Sequence, residues 1–326
     1  MRQIGDWPLT QEGARLAMVT TIEERTRTAP AEEKRQSLES WIYRANVGLA
    51  KAVPLSLAYH VSRPITDIFH WVWTSKREAA RRNYARMLGT SPDDERVKRL
   101  TRSCFRNFGK YIVELFHVQG WSERRLDRLV ARYGEEHFDE ARAYGRGIIF
   151  ASAHMGSIEV ASAMVMLEGF RITSVMERLR PKLLMDWIVL CRANMGVTLL
   201  QTAGTGRQLL RALRRGEMVA LVVDIGYRNN NGGVPVTFLG HPTYFPAGPA
   251  RLARLSGAPI IFGTAVRLPG NRFAAFASPP ILADRTKDAE ADIRNTTQRV
   301  VDIFEGFVRR YPDQWYVFRD MWPNDG

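Results

Sequence analysis

Residues 147–160 read GIIFASAHMGSIEV, and the order of these side chains decides the class of fold. Ile148–Ala153 is a short apolar run that opens after a glycine and ends in His154, Gly156 and Ser157, as a buried strand does. Glu159 then opens a second apolar stretch, Glu159–Leu167, which is helical in length and composition. Working outward, the same texture repeats. β-prone runs at Ile172–Met176, Val197–Gln201, Met218–Val223, Val234–Phe238, Pro259–Val266 and Phe273–Ala277 alternate with helical stretches. The helical stretches are Pro181–Asn194, Arg207–Arg214, Pro249–Leu255 and Ala289–Arg309. Such alternation predicts an α/β fold with a mostly parallel central sheet flanked by helices.

Toward the N-terminus the pattern changes. From about residue 38 to 140 no strand is expected. Glu78–Met87, Glu95–Phe116 and Glu123–Tyr133 space apolar groups three and four apart between Arg and Lys, as amphipathic helices do. Breaks fall at Gly89–Asp94 (GTSPDD) and near Gly120. Trp41–Trp73 is rich in Val, Leu, Ile, Phe and Trp but interrupted by Arg44, Lys51, Pro54, Arg63 and Asp67. It reads as one or two amphipathic helices, either packed on the protein or lying in a lipid headgroup region with Trp71 and Trp73 as fasteners. The expected organisation is an N-terminal extension (1–37), a helical region (38–145) and an α/β core (146–326) fused to it, since no Gly/Ser- or Pro-rich linker intervenes.

The chain has 326 residues, 47 of them Lys or Arg against 34 Asp or Glu, for a formal charge of +13. That field attracts an acidic partner: nucleic acid, an anionic membrane surface, an acidic carrier protein or a phosphorylated substrate. Cys104 and Cys191 have no paired spacing, which argues against a disulfide framework or a zinc ribbon and for the cytoplasmic side. No secretory signal is read in the first 36 residues, and no window reaches 18 uninterrupted apolar residues.

The chemistry concentrates at His154. On an ideal helix, residues five apart turn about 500°, so His154 and Glu159 would point roughly 140° apart. They can pair only if His154 sits on the loop and Glu159 in the first helical turn, where the helix dipole favours an acid. A carboxylate could then hold one imidazole nitrogen and leave the other to take a proton from a substrate hydroxyl. Gly156 would let the backbone approach a substrate, with Ser157 beside it and nearby N–H groups facing an oxyanion. The simpler alternative is a His that caps a helix start, with Glu159 an ordinary first-turn acid.

The segment resembles the catalytic block of the lipid A biosynthesis acyltransferases, a family that includes bacterial lauroyl/myristoyl transferases and phosphatidylinositol mannoside acyltransferases. That family lies within a wider glycerolipid acyltransferase superfamily marked by His-x4-Asp/Glu. Further blocks carry the resemblance: RRNYARMLG (81–89), FRNFGKYIVELF (105–116), MERLRPKLLMD (176–186), RANMGVTL (192–199), ALVVD (220–224), VTFLG (236–240), FPAGPARLARLSGA (245–258), and YPDQW (311–315) with Trp322. The resemblance implies His154 as general base, with Glu159 orienting it. It implies that Glu177, Arg178 and Arg180 line the site and meet phosphate or sugar. Asp224 stands where the family has an acid near the catalytic His, and Gly248-Pro249 would shape a turn before the Arg251 helix. The sequence departs from the pattern in Ser157, where members often carry Asn, and in Ile225-Gly226 after Asp224. ERLRP is similar to the mannoside branch, whereas Glu159 is typical of the lipid A branch.

The resemblance implies acyl transfer from acyl-CoA or an acyl-carrier protein (acyl-ACP) to a hydroxyl of a membrane glycolipid. The acceptor is of the lipid A precursor or phosphatidylinositol mannoside type, at the cytoplasmic face of the inner membrane. No metal and no bound cofactor are expected, and no nucleic acid. Gly-x-Ser-x-Gly, His-Glu-x-x-His and P-loop motifs are absent. Two other readings compete: a basic nucleic-acid-binding protein and an idle membrane scaffold. An enzyme requires His154 and Glu159 adjacent beneath an apolar groove; a scaffold leaves His154 buried or unpaired with Glu159.

Overall fold

The computed structural model describes Gly48 and residues 53–176, 188–190, 192–193, 196–201, 205–224 and 232–322. Gly48 aside, these fall in one compact unit, Ala50–Gly326. The helical region begins with α1 (Leu55–Val72), α2 (Thr74–Leu88) and α3 (Glu95–His117). Of the amphipathic segment expected at Trp41–Trp73, α1 is the described part; residues 41–47 and 49–52 lie outside the described residues. The GTSPDD break has a local cause at each end. Gly89 adopts φ 63° and its N–H closes α2 on the carbonyls of Ala85 and Arg86. Asp94 caps α3, its Oδ1 accepting the Arg96 N–H at 2.7 Å.

α3 buries Val97, Thr101, Cys104, Phe105, Tyr111 and Leu115, recurring mostly at three- and four-residue spacing, and crosses α1 closely. At the crossing Gly109 has no side chain because there is no room for one: a Cβ would lie 2.2 Å from Thr66 Cγ2.

The chain continues through α4 (Glu123–Leu129), β1 (Val130–Tyr133) and α5 (Glu136–Arg142) into β2 (Ile148–Ser152) and α6 (Ile158–Leu167). Then follow β3 (Ile172–Met176), β4 (Val197–Gln201), α7 (Gly206–Arg214), β5 (Met218–Val222), the hairpin β6 (Gly233–Phe238) and β7 (His241–Pro246), and α8 (Gly248–Ser256). β8 (Ile260–Leu268), β9 (Arg272–Ala277) and α9 (Ala289–Arg310) complete the series. The seven-stranded sheet has the order β1-β9-β8-β2-β5-β3-β4. The run β8-β2-β5-β3-β4 is parallel, while β9 pairs antiparallel with β8 and parallel with β1. The α/β class and the mostly parallel sheet expected from sequence are therefore observed. β2 is buried along its whole length, with β8 on one side and β5 on the other.

Two strands depart from expectation. Glu123–Tyr133 is not one helix: it stops at Leu129, and Val130–Tyr133 pairs with Phe273–Phe276. Over so few residues helical and extended spacing coincide, and a sheet edge decides between them; Tyr133 stacks on Phe276 at 4.9 Å. β7 was hidden by Pro242 and Pro246, which suggest a loop. It forms with β6 an isolated two-stranded hairpin whose turn, Leu239-Gly240, has φ of 54° and 82°. The Leu239 N–H donates to Glu305 of α9, and Phe238 stacks on Phe304 at 5.3 Å. Val300, Val301, Phe304 and Val308 carry α9 into this core.

The α1–α3 crossing yields a direct test. Gly109→Ala gains about 0.5–1 kcal/mol of helix propensity but forces a clash expected to cost about 1–3 kcal/mol, for a net loss. Thr66→Ser deletes the offending methyl and keeps the hydroxyl's bonds to Ser62 and Arg63 carbonyls. In urea denaturation the double variant is expected to recover most of the Gly109→Ala loss; strict additivity of the two changes rules the contact out.

Candidate active site

β2 and β5 are neighbours in register, Ile148 opposite Met218 through Ser152 opposite Val222. The Val223 N–H continues the ladder to the Ser152 carbonyl at 2.8 Å. Two residues beyond each strand end, the same register sets His154 beside Asp224. His154 Nδ1 lies 2.9 Å from Asp224 Oδ1, and the His154 backbone N–H lies 3.0 Å from both carboxylate oxygens. Trp315 Nε1–H donates to Oδ2 at 3.2 Å. Burial alone would raise the Asp224 carboxyl, but the charge and hydrogen bonds of His154, with Trp315, hold it below its ordinary value. An ionised carboxylate only accepts, so in the neutral imidazole Nδ1 carries the proton and Nε2 presents a lone pair. The His154 side chain is 42% exposed, against 3% for Asp224.

The pairing of His154 with Glu159, expected of an enzyme and not of a scaffold, is not made; Asp224 meets the same need for a carboxylate on the imidazole. Glu159 sits in the first turn of α6 and is 1% exposed, and neither of its oxygens accepts a hydrogen bond from the described residues. Its neighbour is Arg192, whose Nη2 stands 3.6 Å from Oε1. Burial pushes the Glu159 carboxyl up and Arg192 offsets part of that. The first helical turn places Glu159 inward because α6 is apolar nearly all round and packs into the core.

Gly156 and Ser157 also have jobs other than those expected. Gly156 has φ 60°, and a Cβ there would fall 1.9 Å from the Ala265 carbonyl oxygen. The close approach it permits is thus to β8. Ser157 is fully buried and caps α6, its Oγ accepting the Val160 N–H at 3.4 Å. The Met155, Gly156 and Ser157 N–H groups donate to the carbonyls of Ala153, Gln314 and Ala265. These three N–H groups are therefore engaged within the protein. Glu177, Arg178 and Arg180 lie outside the described residues. Gly248 and Pro249 open α8, as the turn expected before Arg251 requires.

The loop is clamped from behind by residues that the sequence reading missed. Arg267 Nη2 donates to the Gly156 carbonyl at 2.8 Å and to Glu114 Oε2 at 2.7 Å. Tyr316 Oη donates to the same Gly156 carbonyl at 2.7 Å, and the Tyr316 N–H donates to the His154 carbonyl at 2.8 Å. Glu114 also accepts from Tyr59. A signal existed: Glu114 and Arg267 are single charges of opposite sign inside apolar runs, YIVELF and PIIFGTAVRL.

In front of His154 opens a cavity walled by Phe108, Tyr111, Tyr316 and Phe318, with Lys76 and Arg319 at its edge. Asn83 fixes this wall, donating to the Arg319 carbonyl at 2.6 Å and accepting the Met321 N–H at 3.1 Å. Tyr84 Oη lies 2.9 Å from the carbonyl oxygens of Pro312 and Trp315. Thus the 81–89 block holds the C-terminal segment that supports Asp224. No group of His, Cys, Asp or Glu among the described residues is arranged to hold a metal ion.

A family model of the bacterial lipid A biosynthesis acyltransferases matches residues 28–324. The chain belongs to that family. It is similar to the phosphatidylinositol mannoside acyltransferase of Mycobacterium tuberculosis (strain CDC 1551 / Oshkosh), at 29% identity over 76% of this chain and 78% of that protein. The Mycolicibacterium smegmatis protein of the same name is 27% identical, over 76% of this chain and 80% of its own length. The lipid A biosynthesis lauroyltransferase of Escherichia coli (strain K12) is 24% identical over 84% of this chain and 82% of its own. Membership makes the chain an O-acyltransferase.

The Asp224 pair sets an acid dependence with a definite sign. A carboxyl depressed in the fold stabilises it above its unfolded pKa of about 3.9. That contribution is lost as pH falls through the folded value. Asp224→Asn is expected to lower unfolding free energy at pH 7 by about 1–3 kcal/mol and to lose less on further acidification below about pH 4. Urea titrations at pH 7 and pH 3 check this, and equal acid sensitivity in variant and wild type counts against it.

Proposed function

We propose that the protein transfers a fatty acyl group from an acyl-CoA or acyl-ACP thioester to a hydroxyl of a membrane glycolipid, with His154 as general base. The observation that carries this reading is the His154–Asp224 pair at the floor of an aromatic cavity rimmed by cations. With Nδ1 held by Asp224, Nε2 takes the proton from the acceptor hydroxyl, and the oxygen attacks the thioester carbonyl. The tetrahedral adduct collapses, the C–S bond breaks, and the imidazolium returns its proton to the departing thiolate. Asp224 offsets the charge that develops on the ring. Glu159 acts at one remove, by holding Arg192 against α6. Lys76 and Arg319 suit the phosphates of an acidic donor or of a phosphorylated glycolipid.

Similarity to enzymes named for phosphatidylinositol mannosides and for lipid A supports a glycolipid acceptor. The site would then work at the cytoplasmic face of the inner membrane. No helix among the described residues is long and apolar enough to cross a bilayer, and α1 offers a peripheral mode of attachment. Leu57, Val61, Ile65, Ile68 and Val72 line one of its faces at 49–62% exposure, with Trp71 at 76% beside them. An exposed apolar stripe of this kind seats a helix in the interface.

Labelled acyl-CoA and acyl-ACP offered with a panel of bacterial glycolipids test the reading. Wild type is expected to acylate one acceptor class, and His154→Ala to abolish transfer. Asp224→Asn is expected to lower kcat by about 10^2–10^4-fold, as loss of an orienting carboxylate does. Glu159→Gln should cost less than Asp224→Asn in kcat. Transfer that survives His154→Ala overturns the mechanism, and equal losses in the two carboxylate variants overturn the division of roles.

A further inference from the structure

α1 has three faces, and the third has no role so far. Leu55, Tyr59 and Thr66 are buried, and the apolar stripe is exposed. Roughly a third of a turn from that stripe, His60, Arg63 and Asp67 form a polar row beside α3. His60, Arg63 and Tyr59 there share a groove with Arg106 and Lys110 of α3 and with Asn271 of the β8–β9 turn. None of the residues lining this groove lines the His154 cavity.

The groove is short of acid. Asp67 accepts paired hydrogen bonds from Arg106 at 2.7–2.8 Å and from Arg102 at 3.0–3.1 Å, so one carboxylate is divided between two guanidiniums. Arg63 and Lys110 have no carboxylate within ion-pair distance among the described residues. Lys110 Nζ stands 5.8 Å from the Tyr59 ring centroid. Burial and then the Arg267 charge push the Lys110 ammonium down, so an incoming anion relieves it.

We infer that this groove binds the phosphate of an anionic phospholipid headgroup while the neighbouring stripe of α1 sits among acyl chains. The inference rests on the peripheral attachment proposed above. An interfacial helix buries its apolar face about 5–10 Å into the headgroup boundary. A polar face a third of a turn round then lies at the depth of the phosphates. Arg63 can meet a phosphate with a planar fork of donors and Lys110 with a point charge. The groove thus adds headgroup selectivity to a contact that the stripe alone would make with any bilayer.

The test is co-sedimentation at fixed salt with vesicles of phosphatidylcholine alone and of phosphatidylcholine mixed with phosphatidylglycerol. Wild type is compared with Arg63→Gln, Arg63→Gln/Lys110→Gln and Ile68→Ser/Trp71→Ser. Wild type is expected to prefer the anionic vesicles. The double cation variant should bind phosphatidylcholine as wild type does and lose about tenfold of that preference, with the exposed single substitution losing part. The stripe variant should lose binding to both. Cation variants that keep the full preference overturn the groove and leave peripheral attachment standing. Wild type that binds neither vesicle overturns both. If inorganic phosphate binds the protein in a manner abolished by the double variant while vesicle preference persists, the groove serves a soluble phosphate and the lipid assignment falls.

Discussion

A carboxylate only 3% exposed must find its hydrogen-bond donors in the protein, and Asp224 finds them in His154 and Trp315. Those donors come from segments far apart in the chain, so satisfying one buried charge forces their convergence. The β2–β5 register supplies the backbone and imidazole donors together, which fixes the ring's tautomer as well as its place. Trp315 supplies the third and is itself fully buried against Tyr84, Phe238 and Phe304. The hairpin, α9 and the N-terminal helices therefore all bear on the position of one carboxylate.

The Arg267–Glu114 pair extends the same logic to the back of the loop. Both groups are buried, and such a pair is costly to desolvate unless its remaining hydrogen-bonding capacity is used. It is used here: Arg267 reaches the Gly156 carbonyl and Tyr316, and Glu114 accepts from Tyr59. Removing either partner would strand the other charge, at about 3–5 kcal/mol. The interaction also spans α3, β8, the His154 loop and α1. It ties the helical region to the frame that holds the His154 loop.

The sequence made the strand-loop-helix unit at 147–160 legible because its apolar run stops at a cluster of polar and small residues, and it located His154 for the same reason. It showed β3 and β4 to the residue, since each is a short β-prone run between helical stretches. It did not show the partner of His154. Glu159 is near in sequence, whereas Asp224 is near only after the chain has crossed to β3 and β4 and returned between β2 and β3. That return is a property of strand order, which no local pattern encodes. Proximity to the histidine suggested substrate contact for Ser157 and Gly156, and it could not show that the hydroxyl is fully buried and the Gly156 backbone packed on β8. The edge strand β1 and the hairpin strand β7 were lost where few residues or flanking prolines blur the period.

Why, then, does the carboxylate five residues after His154 face away from it? In the first turn of α6 the helix dipole favours an acid, but the surroundings are apolar and Glu159 is sealed from water. Burial pushes the Glu159 carboxyl up, and Arg192 offsets part of that. Arg192 itself lies just before β4, in the stretch between β3 and β4 that carries the Glu177–Arg180 block. The ion pair therefore ties Arg192 to the helix that follows His154. His-x4-Glu reads here as two separate provisions of one loop. The histidine leaves the sheet toward a carboxylate on the neighbouring strand, and the glutamate turns inward to face Arg192.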